Sequence, residues 1–317
     1  MRMYRILIAD PSQYREELAA LYKSNGYSVD TCDSAFDAIS KLKAYDYDLV
    51  VSEAELPGDN AFDLYQYIRD NFPFIPAIMI TGKKIDSFFN MIFTRGIGNV
   101  LSKPVNQHEM LGLSRKLITK ENIFGLQYYL QDVRDLKRIK IIRSTQITAA
   151  IEMMIEQIEQ WGFSINNKMS FRLIINEMTI NAVYHAHGLT AEKLERRPVT
   201  LEDGKYVDLF FCRNNASYAV SVTDYSGLLT SSRILESINA AIEQELLIEK
   251  SALTGEDIME NISETGRGID LVRKLSWEYY FIIKKNTRSD VIIIFNDSSG
   301  TTGKERTSLK IIEDKSS

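Results

Sequence analysis

The chain has 317 residues, of which 44% are hydrophobic and 26% charged, and it carries a net charge of −5. This is the composition of a soluble globular protein long enough for two cores, and its dispersed, slightly acidic charge leaves no broad nucleic-acid footprint. The two cysteines, Cys32 and Cys212, stand in different halves without metal-ligand spacing, which argues against a disulfide framework or a zinc site. The N-terminal apolar run ends at Asp10, too short for the core of a signal peptide, and nowhere do about 18 apolar residues follow one another. A cytoplasmic location with no membrane and no nucleic-acid partner is therefore expected. The basic residues Lys137, Arg138, Lys140 and Arg143 interleave with isoleucines and read as a solvated face.

Residues 1–118 alternate short apolar runs with helical patterns. Tyr4–Ala9, Tyr27–Cys32, Leu49–Ser52, Ala77–Ile80 and Asn99–Leu101 read as strands. Ser34 with Asp37, Asn60 with Asp63 and Asn106 with Glu109 each place a capping residue three ahead of an acid. Five such β-α units predict an α/β fold, a doubly wound five-stranded parallel sheet whose site lies at the carboxyl ends of the strands. Asp10, Glu53, Thr81 and Lys103 stand there. On the residues I-L-I-A-D ending at Asp10, D-L-V-V-S-E-A-E-L-P-G at 48–58, M-I-T-G at 79–82 and L-S-K-P at 101–104, this segment resembles a response-regulator receiver domain, with its flavodoxin-like fold. The resemblance implies phosphate transfer to an aspartate after the third strand, with Mg²⁺ held by that aspartate and an acid pair. Glu53 stands in place of the phosphoacceptor, Pro11 in place of the second acid, and Val100 in place of the aromatic switch residue. The expectation is a degenerate receiver not switched by phosphorylation, in which Glu53 either imitates the phosphorylated state or is a retained acid.

From Leu113 to Trp161 there is no proline, and Ile123, Leu126, Leu130 and Val133 recur at helical spacing. Residues 119–143 are thus predicted as a helical connector, either a short coiled coil that would make a homodimer or an amphipathic helix on its own domain. The chain's three histidines are His108, His185 and His187. None lies in the connector, so autophosphorylation on a connector histidine is excluded.

In residues 144–296, helical patterns at Thr145–Trp161 and Lys168–His187 precede strands at Tyr206–Cys212 and Tyr218–Thr223. Glu177, Asn181 and His185 recur every four residues along one helix face. Their carboxylate could act as a general base and their amide oxygen could ligate a hard cation such as Mg²⁺; equally, the stripe could simply face water. Asp224 ends a strand in the turn Asp224-Tyr225-Ser226-Gly227, where a carboxylate can accept from an exocyclic amine or serve only the turn. Leu228–Ile262 is long enough for a lid. Gly266-Arg267-Gly268 then opens a helix, a phosphate-binding arrangement or a plain flexible loop. Strands are expected at Tyr279–Lys284 and Asp290–Phe295, and residues 297–317 read as a disordered tail.

The order acid-x₃-Asn, Asp-x-x-Gly, Gly-x-Gly resembles the GHKL family of ATP-binding domains, an α/β sandwich, and within it the anti-sigma-factor serine kinases. The resemblance implies Glu177 as general base, Asn181 as Mg²⁺ ligand, Asp224 and Gly227 in the adenine box, and Gly266, Arg267 and Gly268 at the phosphates. ATP and Mg²⁺ are the implied cofactors, and the implied partner is a protein of the anti-sigma-antagonist or sigma-factor type. Ser226 and Leu228 occupy two glycine places of the family's adenine box. The expected function is a protein serine/threonine kinase governed by the receiver; the alternative is a partner-switching module that binds ATP without transferring phosphate.

Overall fold

A computed structural model describes residues 3–57, 61–254, 267–296 and 308–315. The chain divides into two compact units, residues 1–121 with 305–310, and residues 122–304 with 311–317.

In the first unit, β1 (Arg5–Ala9), β2 (Ser28–Cys32), β3 (Leu49–Glu53), β4 (Ala77–Thr81) and β5 (Asn99–Ser102) run parallel in the order β2-β1-β3-β4-β5. The connecting helices are α1 (Tyr14–Ser24), α2 (Ala35–Ala44), α3 (Ala61–Asn71), α4 (Phe89–Arg95) and α5 (Gln107–Thr119). Strands covered on both faces need continuous apolar runs. Ile6, Leu7, Ile8, Val50, Val51, Ile78 and Ile80 meet that need and are fully buried. Two of the predicted caps form: Ser34 Oγ accepts from Asp37 N, and Asn106 Oδ1 from Glu109 N. The third, at Asn60, lies outside the described residues.

The predicted disordered tail is corrected in part. Leu309–Asp314 is a strand, β11, and its first two residues pair antiparallel with β5, Leu309 opposite Val100 and Lys310 opposite Asn99. Lys310 is fully buried there with its ammonium on Glu109. Ser- and charge-rich flanks concealed the short run Leu309–Ile312, whose apolar residues supply the burial.

The connector helix is also corrected. The second unit begins with a 3₁₀ turn, Leu126–Tyr128, followed by a strand, β6 (Arg134–Ile141). Isoleucines at 139 and 141 alternate with charges, which suits an edge strand, and β6 lies at the sheet's edge. Leu136, Ile139 and Ile142 at intervals of three had imitated a helix. After β6 come α6 (Ile147–Gln160), α7 (Lys168–Tyr184), α8 (Thr190–Leu194), β7 (Val207–Arg213), β8 (Ser217–Asp224), α9 (Ser231–Thr254), α10 (Arg267–Leu275), β9 (Glu278–Lys284) and β10 (Arg288–Asn296).

The sheet of this unit has the order β11-β9-β10-β8-β7-β6, with Ile311–Asp314 parallel to β9 and β9, β10, β8, β7 and β6 successively antiparallel. One face carries α6 and α7. Phe171 packs on Tyr218 and Phe295, and Trp161 on Phe211. On the other face Tyr129 meets Tyr280 with ring centroids 4.7 Å apart, and Gly125 N donates to Asp290 Oδ2. The unit is an α/β layer structure, with α10 set against both α7 and α9. Residues 255–262 of the expected lid lie outside the described residues; the rest of it is largely the 24-residue α9. Among the described residues no helix is long and apolar enough to cross a membrane.

Candidate functional site

The parallel sheet of the first unit brings Asp10, Glu53, Thr81 and Lys103 to the carboxyl ends of its strands, as expected. Asp10 is fully buried, and its Oδ1 accepts from both Ser12 N and Ser12 Oγ, at 2.7 and 2.6 Å. Its Oδ2 accepts from Lys103 Nζ at 2.6 Å, and the same ammonium pairs with Glu53 Oε2. Glu53 Oε1 takes the backbone N–H of Ala54 at 2.9 Å. Thr81 Oγ1 is turned to its own loop, accepting from Lys83 N at 3.0 Å. The extra methylene of Glu53 lets it reach Lys103 without an intervening phosphate. Burial acts to lower the Lys103 pKa, but the hydrogen bonds to Asp10 and Glu53 outweigh it and hold the ammonium above the ordinary lysine value. Tyr14 completes the surroundings, its ring centroid 4.9 Å from the ammonium. The cluster is a closed ion triad in which both carboxylates share one cation.

In the second unit, Glu177 and Asn181 lie on successive turns of α7, and His185 follows at its end. The start of α10 is pressed onto this stripe. A Cβ added at Gly268 would come 2.8 Å from Glu177 Cβ and 3.1 Å from Met178 Cε, so only glycine admits the approach. The nine-residue α10, whose N-terminal N–H groups carry the positive end of its dipole, thereby begins beside the Glu177 turn. Gly266 lies outside the described residues, as does the side chain of Arg267, which opens α10.

Asp224, the last residue of β8 and nearly fully buried, fixes its own turn. Its Oδ1 accepts from Ser226 N, Ser226 Oγ and Gly227 N at 3.0, 2.6 and 3.0 Å. Ser226 thus adds a third donor to that oxygen, one that a glycine in its place would not supply. Gly227 has φ +61, and a Cβ there would stand 2.4 Å from both Lys284 O and Thr287 N. The turn is therefore held by Asp224 from within and, at Gly227, by the backbone of the β9–β10 turn packed against it.

Sequence reasoning missed three residues of this region. Ser289 lies opposite Asp224 on the same sheet face, and its buried hydroxyl has no hydrogen-bond partner among the described residues. His187 Nε2 is likewise buried without a partner among the described residues; burial lowers its pKa and the charge of Asp224 acts to raise it, which puts the two side chains within electrostatic range. Lys193, on α8, donates from Nζ to Asn181 Oδ1 at 2.8 Å and contacts His185 Nε2 at 3.1 Å. No periodicity announces any of them, because their roles come from a ladder partner or from a chain reversal at Gly188.

Residues 6–114 match the response regulator receiver domain family, and the first unit is a receiver domain. Cell cycle transcriptional regulator CtrA of Caulobacter vibrioides is 26% identical over 106 residues, 33% of this chain and 46% of that protein. Regulatory protein VanR of Enterococcus faecium is 30% identical over 110 residues, 34% of this chain and 46% of that one. The chain therefore spans under half the length of either relative. Among solved structures, the signal receiver domain of an HD domain-containing protein from Pseudomonas fluorescens Pf-5 is 26% identical with a TM-score of 0.36, covering 38% of this chain and 90% of that one. Chemotaxis response regulator CheY4 of Vibrio cholerae is 22% identical with a TM-score of 0.35, covering 37% and 99%.

Proposed function

We propose that the second unit binds ATP in the manner of a GHKL domain and transfers its γ-phosphate to a hydroxyl on a small protein, as an anti-sigma-factor serine kinase does to an anti-sigma-antagonist. The single observation that carries this is the seating of α10 on Glu177. It brings a helix N-terminus, favourable to phosphate, against a carboxylate that can act as base. Asp224 in its fixed turn supplies the acceptor for an exocyclic amine, with the Ser289 hydroxyl beside it. In the reaction, Glu177 takes the proton of the acceptor hydroxyl as that oxygen attacks the γ-phosphorus. The bond from the γ-phosphorus to the β,γ-bridging oxygen breaks, and ADP leaves. Positioning and charge supply most of the catalysis in such a transfer. Mg²⁺, expected at Asn181, does not fit the residues present. The one amide oxygen is already taken by Lys193, and the described residues contain no group of three or more His, Cys, Asp or Glu able to hold a metal. No step is routed through it.

Asp224→Ala should abolish calorimetric binding of an ATP analogue to the full chain. Glu177→Gln should keep that binding while losing transfer of labelled phosphate to an anti-sigma-antagonist-type protein. Undiminished transfer by Glu177→Gln would remove Glu177 from its role. Leu228, 43% exposed where the family has glycine, favours a second reading: ATP-dependent holding of the same class of partner with no phosphate transferred. Partner binding that follows nucleotide while the partner's mass stays unchanged would select it.

The receiver, in this proposal, governs the output without being phosphorylated, because Lys103 already bridges Asp10 and Glu53. Acetyl phosphate with Mg²⁺ should leave the protein mass unchanged; a stoichiometric increase would refute this. A homodimer and a cytoplasmic location complete the proposal, and light scattering of the full chain tests the dimer.

A further inference from the structure

The C-terminal end of α7 is followed by a sharp reversal. Gly188 takes a left-handed conformation at φ 74, and α8 runs back beside the stripe it has just left. This puts Lys193 Nζ 2.8 Å from Asn181 Oδ1 and 3.1 Å from His185 Nε2. An ammonium has donors only, so Nε2 accepts and the imidazole proton sits on Nδ1, which lies 3.3 Å from Thr190 Oγ1. Both partners of this cation are neutral. Glu177 acts on it at longer range, raising its pKa, while burial lowers it more strongly, and the ammonium stands below the ordinary lysine value. A second cation, Arg233 on α9, also acts on His185. Positive charge is thus concentrated at the amide oxygen, and among the described residues no carboxylate is in contact to cancel it.

A half-buried cation with neutral partners is unfavourable on its own and becomes favourable when an anion arrives. The arrangement also opposes a divalent ion at Asn181, which would have to share its oxygen with an ammonium at hydrogen-bond distance. We propose that Lys193 takes the place of the divalent cation, holding the terminal phosphates of a nucleoside triphosphate so that binding at this site is metal-independent. This rests on the nucleotide reading of the same site. A lysine suits such a role because it binds phosphate as a point charge, without a fixed fork. Lys193 is a binding residue in this assignment, and it also draws the γ-phosphate toward Glu177.

The test is calorimetric titration of the full chain with a β,γ-imido analogue of ATP, in EDTA and in excess Mg²⁺, for the wild type, Lys193→Met, Lys193→Arg and Asp224→Ala. The wild type should bind in EDTA within about threefold of its affinity in Mg²⁺, and Lys193→Met should weaken binding in EDTA by about tenfold or more. Lys193→Arg should retain most of it. Melting curves of the variants establish that they fold, and the wild-type comparison needs no variant. Wild-type binding that requires Mg²⁺ would overturn the role of Lys193 while leaving the nucleotide site intact. Absence of binding in both conditions would overturn the nucleotide reading itself. Equal loss in Asp224→Ala and Lys193→Met, restored in neither by Mg²⁺, is consistent with the proposal; unchanged binding by Lys193→Met in EDTA refutes it.

Discussion

Each unit of this chain sets a lysine ammonium among the polar side chains of its site, and the two lysines are held in opposite ways. Lys103 has two carboxylates, Asp10 and Glu53, so the receiver cluster carries more negative than positive charge and already uses its cation. Lys193 has an amide oxygen and an imidazole nitrogen, so its charge is solvated but not cancelled. Coulomb attraction between unit charges at contact is several times larger at the low effective dielectric of a partly buried site than in water. The first lysine is therefore already neutralised, and the second keeps the uncancelled charge that the proposed phosphate site would use. A cation's availability is decided by what it touches, and not by its being a lysine near a site.

The largest expected effect tests the closed member. Lys103→Met leaves the buried Asp10 and the nearly buried Glu53 facing each other without a counter-ion, and should cost the receiver about 3–5 kcal/mol, read by urea denaturation. Because the folded-state pKa of Lys103 is raised, its contribution is fully present below the ordinary value of 10.5 and is lost as pH rises through the folded value. Wild-type stability measured above pH 10.5 should fall toward that of the variant. If Lys103→Met melted like the wild type, the triad would not be what closes the site.

A second contrast concerns what holds each site's geometry. Ion pairs set the receiver cluster, whereas close backbone approach sets the turn at Asp224. Gly227→Ala would force a methyl group to within 2.4 Å of Lys284 O and Thr287 N at a positive φ. The expected cost is about 1–3 kcal/mol, with loss of nucleotide binding. Ser226→Gly should do much less to stability, since it removes one donor from Asp224 Oδ1 and leaves two backbone N–H groups in place. Thermal melts of the two variants side by side separate steric from hydrogen-bonded control of the turn.

The difference between the units also explains what could be read in the sequence. Strands buried on both faces announce themselves as apolar runs, and Tyr4–Ala9, Ala77–Ile80 and Asn99–Leu101 were placed within a residue of the strands that form. Receiver side chains were legible for the same reason, because they sit at the ends of those runs. β6 was not, since only Ile141 is buried and the isoleucine and leucine spacing fitted a helix as well as an edge strand. β11 was hidden because only three apolar residues, interrupted by Lys310, carry it. Lys193 was beyond reach of any spacing rule: its position depends on a left-handed glycine five residues earlier and on a five-residue helix. Glu177, Asn181 and Asp224 were visible as residue types in order, whereas the seating of α10 on Glu177 depends on Gly268, whose lack of a side chain lets α10 approach α7.

The smallest expected effect tests the open member. Lys193→Met removes a desolvated cation and leaves two neutral acceptors that solvent can reach, so stability at neutral pH should change by less than about 1 kcal/mol. The informative readout is His185. Burial, then Lys193, then Arg233 depress its pKa below the ordinary 6.5. In the wild type, the stability tied to neutral His185 is present above the unfolded value of 6.5 and is lost as pH falls through the lowered folded value. Removing Lys193 takes away the second of those causes, so the His185 ring protons should titrate at higher pH in Lys193→Met, and the acid-side loss of stability should narrow. Arg233→Gln should move His185 the same way by less. An unmoved His185 would mean that the ammonium is not held at Nε2 in solution, and the contrast between a cancelled and an uncancelled lysine would lose its second half.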